Sequence, residues 1–340
     1  HYHFDTPFYA FVTPDSAETV YGNLAQQNHF SDYISLSLAS LLYLSARQKI
    51  PAFLAAPMGI FQLFTLALSG SRSSWLFLGA MTLLALFQFR KEKALLFGAL
   101  FLLPTFALMQ FAAHLSILDS VGATTSADRL LVIARDSGIR FYLWHEAWLM
   151  FLKAPLLGTG FGQFAWHHFC YGPILGHSEI TGLYTNSHDI FLNFLAETGL
   201  IGSLLLFGGL FFWAKRTTLP FDIHAWWLYS LLLVMALHSL DEYPLWYAQF
   251  LGIFMLLLGL GESRALQLPL AQGIAALLLA SGSYLMTGVL LDYLHLEALL
   301  YPGYHSGKPP LRGSVLFDSL YRASKGTLLA PYVEYPLAEM

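Results

Sequence analysis

Residues 186–202 read NSHDIFLNFLAETGLIG, and they decide what kind of chain this is. A histidine set among Asn186, Asp189 and Asn193 stands just ahead of an apolar run that continues as GSLLLFGGLFFW to residue 213. That run approaches the ~20 residues a helix needs to cross hydrocarbon. Lipid tolerates such a polar cluster poorly unless it faces protein or water. Polar groups at the mouth of a spanning helix therefore point to function.

The rest of the chain agrees with a membrane setting. Of its 340 residues, 56% are hydrophobic and 11% charged, where a soluble domain carries about 25% charged residues. About eight apolar segments are legible, at 32–46, 51–68, 73–89, 94–113, 189–213, 223–240, 246–261 and 270–291. They are continuous, unlike the alternating strands of a membrane barrel. The expected fold is all-α, a polytopic helical membrane protein. The net charge of -4 gives no basis for a nucleic-acid partner. Cys170 is the single cysteine, which excludes an internal disulfide. No signal peptide is recognisable, and a start at His1 leads to the expectation that the natural protein extends further towards its N-terminus.

Orientation follows from the short links. Arg47 and Lys49, then Arg90, Lys91 and Lys93, then Lys215 and Arg216, then Arg264 occupy alternate links. The other tight links, 69–72 and 238–243, hold Arg72 as their one lysine or arginine. The positive-inside bias places the basic links in the cytoplasm and the other polar sequence in the periplasm. The expected organisation is a periplasmic segment 1–31, helices over 32–113, a periplasmic loop 114–188, helices over 189–291 and a periplasmic tail 292–340. Within the loop, FYLWHEAWLMFLK at 141–153 has an apolar helical face. It reads equally as a helix lying at the interface or as one packed on the membrane domain. The turn-rich YPGYHSGKPP of the tail says little about function, and no internal repeat is found.

Several residues invite a chemical reading. His188 is either a structural histidine at a helix end or a general base that positions an acceptor hydroxyl, with Asn186 and Asp189 to orient it. Arg72, in LSGSRSSW, either snorkels to headgroups or, without an acidic neighbour in its link, grips a phosphate. Arg140 offers the same chemistry, whereas Arg129 and Arg135 lie near Asp128 and Asp136 and read as solvated pairs. His238, Asp241, Glu242 and Tyr243 form a link too short to bury itself, which either lines an outer vestibule or is a polar turn closed by Pro244. Gly158, Gly160 and Gly162 resemble a nucleotide loop, but no strand precedes them, so a tight turn at the membrane surface is expected. His167, His168 and His177 lack regular ligand spacing, and no metal is expected.

In order and spacing, these motifs resemble the bacterial O-antigen ligase and polymerase superfamily, and most closely its protein (pilin) O-oligosaccharyltransferase branch. The resemblance is carried by GNLAQQNHFSDYISL from Gly22, SGSRSSWL from Ser69, RFYLWHEAWLMFLKAPLLGTGFGQF from Arg140, NSHDIFLNFLAETGLIG, and HSLDEYPLWYAQFLGIFMLLLGL. It implies a many-helix fold with a large periplasmic loop. It implies transfer of a preassembled glycan from undecaprenyl diphosphate, without cofactor, to a Ser or Thr hydroxyl of an acceptor protein such as pilin, at the periplasmic face of the inner membrane.

The family's essential histidine falls on His188, its phosphate-gripping arginines on Arg72 and Arg140, and its glutamine and tyrosine on Gln26 and Tyr243. Asp189 departs from the family's usual asparagine, which puts the local hydrogen bonding in question. His238 and Glu242 join the expected positioning residues. An O-antigen ligase or polymerase with the same donor is the neighbouring reading. A transporter or flippase would instead place ionisable residues mid-membrane, where Glu197 is the main example here.

Overall fold

The computed structural model describes residues 20–24, 26–88, 91–113, 137–175, 182–217, 222–262, 271–300 and 313–325, together with 327, 329, 330 and 333. The readings made on Arg90, Arg129, Arg135, His177, Arg264 and the YPGYHSGKPP stretch lie outside the described residues.

The chain is an all-α polytopic membrane protein. Among the described residues its helices are α1 Gln27–Ala46, α2 Ala52–Leu68, α3 Ser73–Gln88, α4 Lys93–Ala113, α5 Ser137–Lys153, α6 Phe164–Leu175, α7 Ile190–Arg216, α8 Ile223–Asp241, α9 Ala248–Gly261, α10 Ala271–Leu300 and α11 Gly313–Ser324. Of these, α4, α7, α8 and α10 are long and apolar enough to cross a membrane, while α2, α3 and α9 are shorter apolar helices. The chain divides into two compact units, His1–Arg264 and Ala265–Met340.

In the first unit, α1 is central and packs on α2, α3, α4 and α8. Leu38, Leu66, Phe77, Leu78, Met81, Phe106 and Trp226 are buried in the common core. The sequence places the start of this span at Asp32, but the helix begins at Gln27. The reason is physical. Asn28, Ser31, Asp32 and Ser35 recur at helical spacing on one buried face. Three of them find partners on other elements: Asn28 on Glu242, Ser31 on Ser74, and Asp32 on His238. Polar groups satisfied inside protein do not end a membrane helix. The pairs Asp32–His238 at 2.6 Å and Tyr43–His224 at 2.8 Å fasten α1 to α8 near both ends and fix them antiparallel.

The candidate interfacial helix is α5, and it packs on α7. Leu143, Ala147 and Met150 are fully buried with Phe164 and Ala196. Phe141, Trp148 and Leu152 stay exposed on the other side. The helix thus has one face for the protein and apolar side chains left outside it.

The glycine-rich stretch does more than turn at a surface. Helix α7 is broken at Gly199, which has φ 62 and ψ -165. Residues 155–160 lie in the break. Thr159 N–H donates to the Ala196 carbonyl and Gly160 N–H to the Glu197 carbonyl, while Leu200 and Ile201 N–H donate back to the carbonyls of Pro155 and Leu156. A Cβ on Gly158 would come within 2.2 Å of the Glu197 carbonyl carbon, and one on Gly199 within 2.5 Å of Leu156 backbone. Glu197, the ionisable residue expected to face the bundle, is buried and accepts the backbone N–H groups of Gly162, Gln163 and Phe164, capping α6.

In the second unit, α10 runs through Asp292 to Leu300 where the sequence reading begins the tail. Leu296 packs there with Leu320 of α11 and with Val333.

Gly199→Ala should cost more than about 2 kcal/mol, because a left-handed φ and a backbone collision act together. Gly208→Ala, where an added Cβ meets nothing within 4 Å, should be neutral. Melting of the two detergent-purified variants checks this, and equal melting temperatures would refute the backbone crossing.

Candidate functional site

The site forms where the segment before α7, the starts of α1 and α3, helix α5 and the end of α8 meet. A cavity of about 690 Å³ lies there, lined by Gln27, Arg72, Arg140, Trp144, Tyr184, His188, Asp241 and Glu242, among others.

His188 is presented by local backbone chemistry. Asp189 is the N-cap of α7 and accepts Leu192 N–H at 2.8 Å. Asn193 accepts Ser187 N–H at 3.0 Å, and Asn186 accepts His188 N–H at 3.1 Å. His188 itself sits at φ 56, in the left-handed region. Strain of that kind in a non-glycine residue persists only where neighbours over-determine it, and it concentrates at functional sites. The sequence reading gave Asn186 and Asp189 the task of orienting the imidazole. They orient the main chain that bears it, and the ring is held from elsewhere.

The group that holds it is Glu242. His188 Nδ1 lies 2.7 Å from Glu242 Oε2. Glu242 Oε1 accepts from Asn28 Nδ2 at 3.0 Å and from Arg140 at 3.0 Å. Asn28 in turn accepts Ser71 Oγ at 2.7 Å. Burial alone would push the Glu242 carboxyl up. The His188 hydrogen bond and charge, the Arg140 guanidinium and Asn28 outweigh it and hold the carboxyl below its ordinary range. An ionised carboxylate only accepts, so His188 Nδ1 is the donor to it, and in the neutral ring it is Nε2 that keeps the lone pair. This is the arrangement that prepares an imidazole to take a proton.

The two arginines differ. Arg72 lines the cavity, and its side chain makes no ion pair or hydrogen bond among the described residues. Arg140, expected to be equally available, is bound to both Asp241 and Glu242. Asp241 also accepts Ser73 Oγ at 2.5 Å. Arg140 still has donors to spare, since a guanidinium carries five N–H groups.

Tyr243 meets the His188 ring edge-on at 5.1 Å and stacks with Tyr247 at 5.9 Å. Burial, then Tyr247 and Glu242, push its phenol up to about 12, so it remains a neutral hydroxyl.

Four of the expected residues lie away from the cavity lining, Tyr243 among them, which reaches the site only through the His188 ring. His238 is fully buried and paired with Asp32, so it fastens α1 to α8 and does not reach a substrate. Asp189 is a helix cap. Gln26 precedes α1 with its Oε1 buried, and it is the next residue, Gln27, that lines the cavity. Sequence reasoning missed Asn28, Ser71, Trp144 and Tyr184 as members of the site, whereas Asp241, read as part of the vestibule link, does line the cavity. Asn28 and Ser71 stood inside quoted motifs, and buried polar residues at a helix start were the available signal. Nothing local marks Tyr184.

Residues 57–207 match the family described as O-Antigen ligase. Residues 226–319 match one described as Virulence factor membrane-bound polymerase, C-terminal, and 20–44 match Protein glycosylation ligase. The chain is 25% identical over 258 residues to the General O-oligosaccharyltransferase of Acinetobacter baylyi, covering 72% of this chain and 44% of that protein. It is 25% identical over 236 residues to the ComP-specific O-oligosaccharyltransferase of the same organism, covering 67% and 41%. The chain thus spans less than half the length of these relatives. No solved structure matches it.

Because the Glu242 carboxyl is depressed in the folded site, its contribution to stability is complete above the ordinary glutamate pKa of about 4.3. It is lost as pH falls through the lower folded value. Glu242→Gln should therefore lower stability by about 1.5–3 kcal/mol. The gap in melting temperature between wild type and variant should be constant from neutral pH down to about pH 5 and close only below about pH 4. A gap that closes between pH 7 and 5 would contradict the pairing.

Proposed function

We propose that this chain, which belongs to the O-antigen ligase/polymerase superfamily and is most like its protein O-oligosaccharyltransferase branch, transfers a preassembled glycan from undecaprenyl diphosphate to a Ser or Thr hydroxyl of an acceptor protein such as pilin. The observation that carries this reading is the pairing of His188 with Glu242 at 2.7 Å in a cavity that also holds Arg72.

The chemistry needs little else. The acceptor oxygen attacks the anomeric carbon while the bond from that carbon to the diphosphate oxygen breaks. The lipid diphosphate leaves with the electron pair, and the hydroxyl proton passes to His188 Nε2. A single displacement of this kind inverts the anomeric centre. Glu242 stabilises the imidazolium as it forms. Arg72 supplies a planar, bidentate donor for the diphosphate and meets charge as it grows on departure. Arg140, fixed on two carboxylates, presents its remaining N–H groups to the same anion.

The test is transfer in vitro with the whole purified protein, lipid-linked glycan and a serine-bearing acceptor. His188→Ala should reach the membrane, bind donor and lose about 10²–10⁴ in rate. Arg72→Ala should weaken donor use by about 1.5–3 kcal/mol, with Arg72→Lys restoring only part. Near wild-type transfer by His188→Ala would refute the assignment.

The site's side of the membrane is a matching proposal: the inner membrane, with the cavity facing the periplasm. In a Cys170→Ser background, an impermeant thiol reagent applied from the periplasm should label Leu183→Cys, which is well exposed, and spare Lys49→Cys in the basic link after α1. The reverse pattern would invert the topology.

A further inference from the structure

Outside the chemistry assigned above lies a third histidine–carboxylate pair. His168 of α6 is buried, and its Nδ1 stands 2.6 Å from Oε2 of Glu146, a fully buried residue of α5. Its Nε2 stands 3.1 Å from the carbonyl oxygen of Gly182. A carbonyl only accepts, so Nε2 is the donor to Gly182, while Glu146 holds the ring on its Nδ1 side.

Gly182 opens the described segment that leads through Tyr184 to His188. Tyr184 meets the His168 ring edge-on at 5.6 Å and the His188 ring at 5.9 Å, so one tyrosine lies between the two histidines. The frame behind His168 is rigid on both sides. Glu197 of α7 caps α6, and α5 is packed on α7 through Leu143, Ala147 and Met150. Within the segment, the first described tie to that frame is the Gly182 carbonyl on His168. Tyr184 packs on the same apolar cluster, and the next hydrogen bond to the frame comes at Ser187, whose N–H donates to Asn193 of α7.

We propose that His168, held by Glu146, is a positioning residue: through its Nε2–H bond to the Gly182 carbonyl it sets the path of residues 182–188 and hence the placement of the His188 imidazole. The inference rests on the reading of His188 as proton acceptor. It predicts a defect in turnover without a defect in donor recognition, since His168 touches neither arginine.

Two isosteric variants test it in the whole protein. The amide nitrogen of glutamine falls near histidine Nε2, and that of asparagine near Nδ1. His168→Gln keeps a donor for Gly182, and His168→Asn keeps one for Glu146 only. His168→Asn should lose about 10- to 100-fold in kcat with donor KM unchanged, as expected of a misplaced catalytic group. His168→Gln should recover most of that loss. Hydrogen exchange over 182–188 should accelerate in His168→Asn and not in His168→Gln, a readout that needs no activity.

Equal losses in the two variants, or wild-type kcat in His168→Asn, would overturn the proposal. If His168→Asn does not accumulate, His168→Phe, which fills the space without a donor for the Gly182 carbonyl, carries the same test, and unchanged turnover and exchange there would refute the role. A wild-type protein that transfers no glycan would sink the catalytic reading instead, leaving the exchange result to judge His168 alone.

Discussion

One carboxylate joins the parts of this site. Glu242 receives His188 on one oxygen and Asn28 and Arg140 on the other. Those three partners come from the segment before α7, from α1 and from α5, and Glu242 itself follows α8. Without it, the imidazole would have no fixed tautomer, Asn28 would point at nothing, and Arg140 would keep only Asp241. A buried carboxylate is costly unless charge and hydrogen bonds surround it. Here the surroundings are the functional groups themselves, so the electrostatics that stabilise the site also order it.

How much of this was legible in the sequence varies with the kind of force involved. Helices α4 and α8 begin and end within about a residue of where the apolar runs do, because there burial and lipid exposure both follow hydrophobicity. The start of α1 was misplaced because its polar residues are paired with partners far along the chain. Asn28 and Glu242 are 214 residues apart, a relation no local pattern contains. The break in α7 was hidden for a similar reason. Gly199 advertised freedom, but the demand on it comes from Leu156, and that on Gly158 comes from Glu197.

His188, a candidate from the sequence, does line the cavity, though what orients its ring was not legible. The polar neighbours in sequence shape the turn, while the partner of the ring lies 54 residues on. His238 shows the opposite error. A histidine in a short link between spans suggested an open vestibule, yet it falls in the last turn of α8 and points into the bundle at Asp32. Length of a link does not tell which way the last helical turn faces.

The charge balance of the cavity has a consequence for what can enter it. Its charged lining consists of two arginines and two carboxylates, beside His188 on Glu242. The empty cavity is therefore close to electroneutral and exerts little long-range pull on anions in bulk water. Inorganic phosphate and nucleotides, which an uncompensated cluster of arginines would attract, gain little by approaching it. A diphosphate carried on a lipid needs no such steering, because confinement to the membrane already brings it to the cavity mouth at high local concentration. Under the proposed donor chemistry, selectivity for a membrane-borne anion over a dissolved one follows from how Arg140 is neutralised.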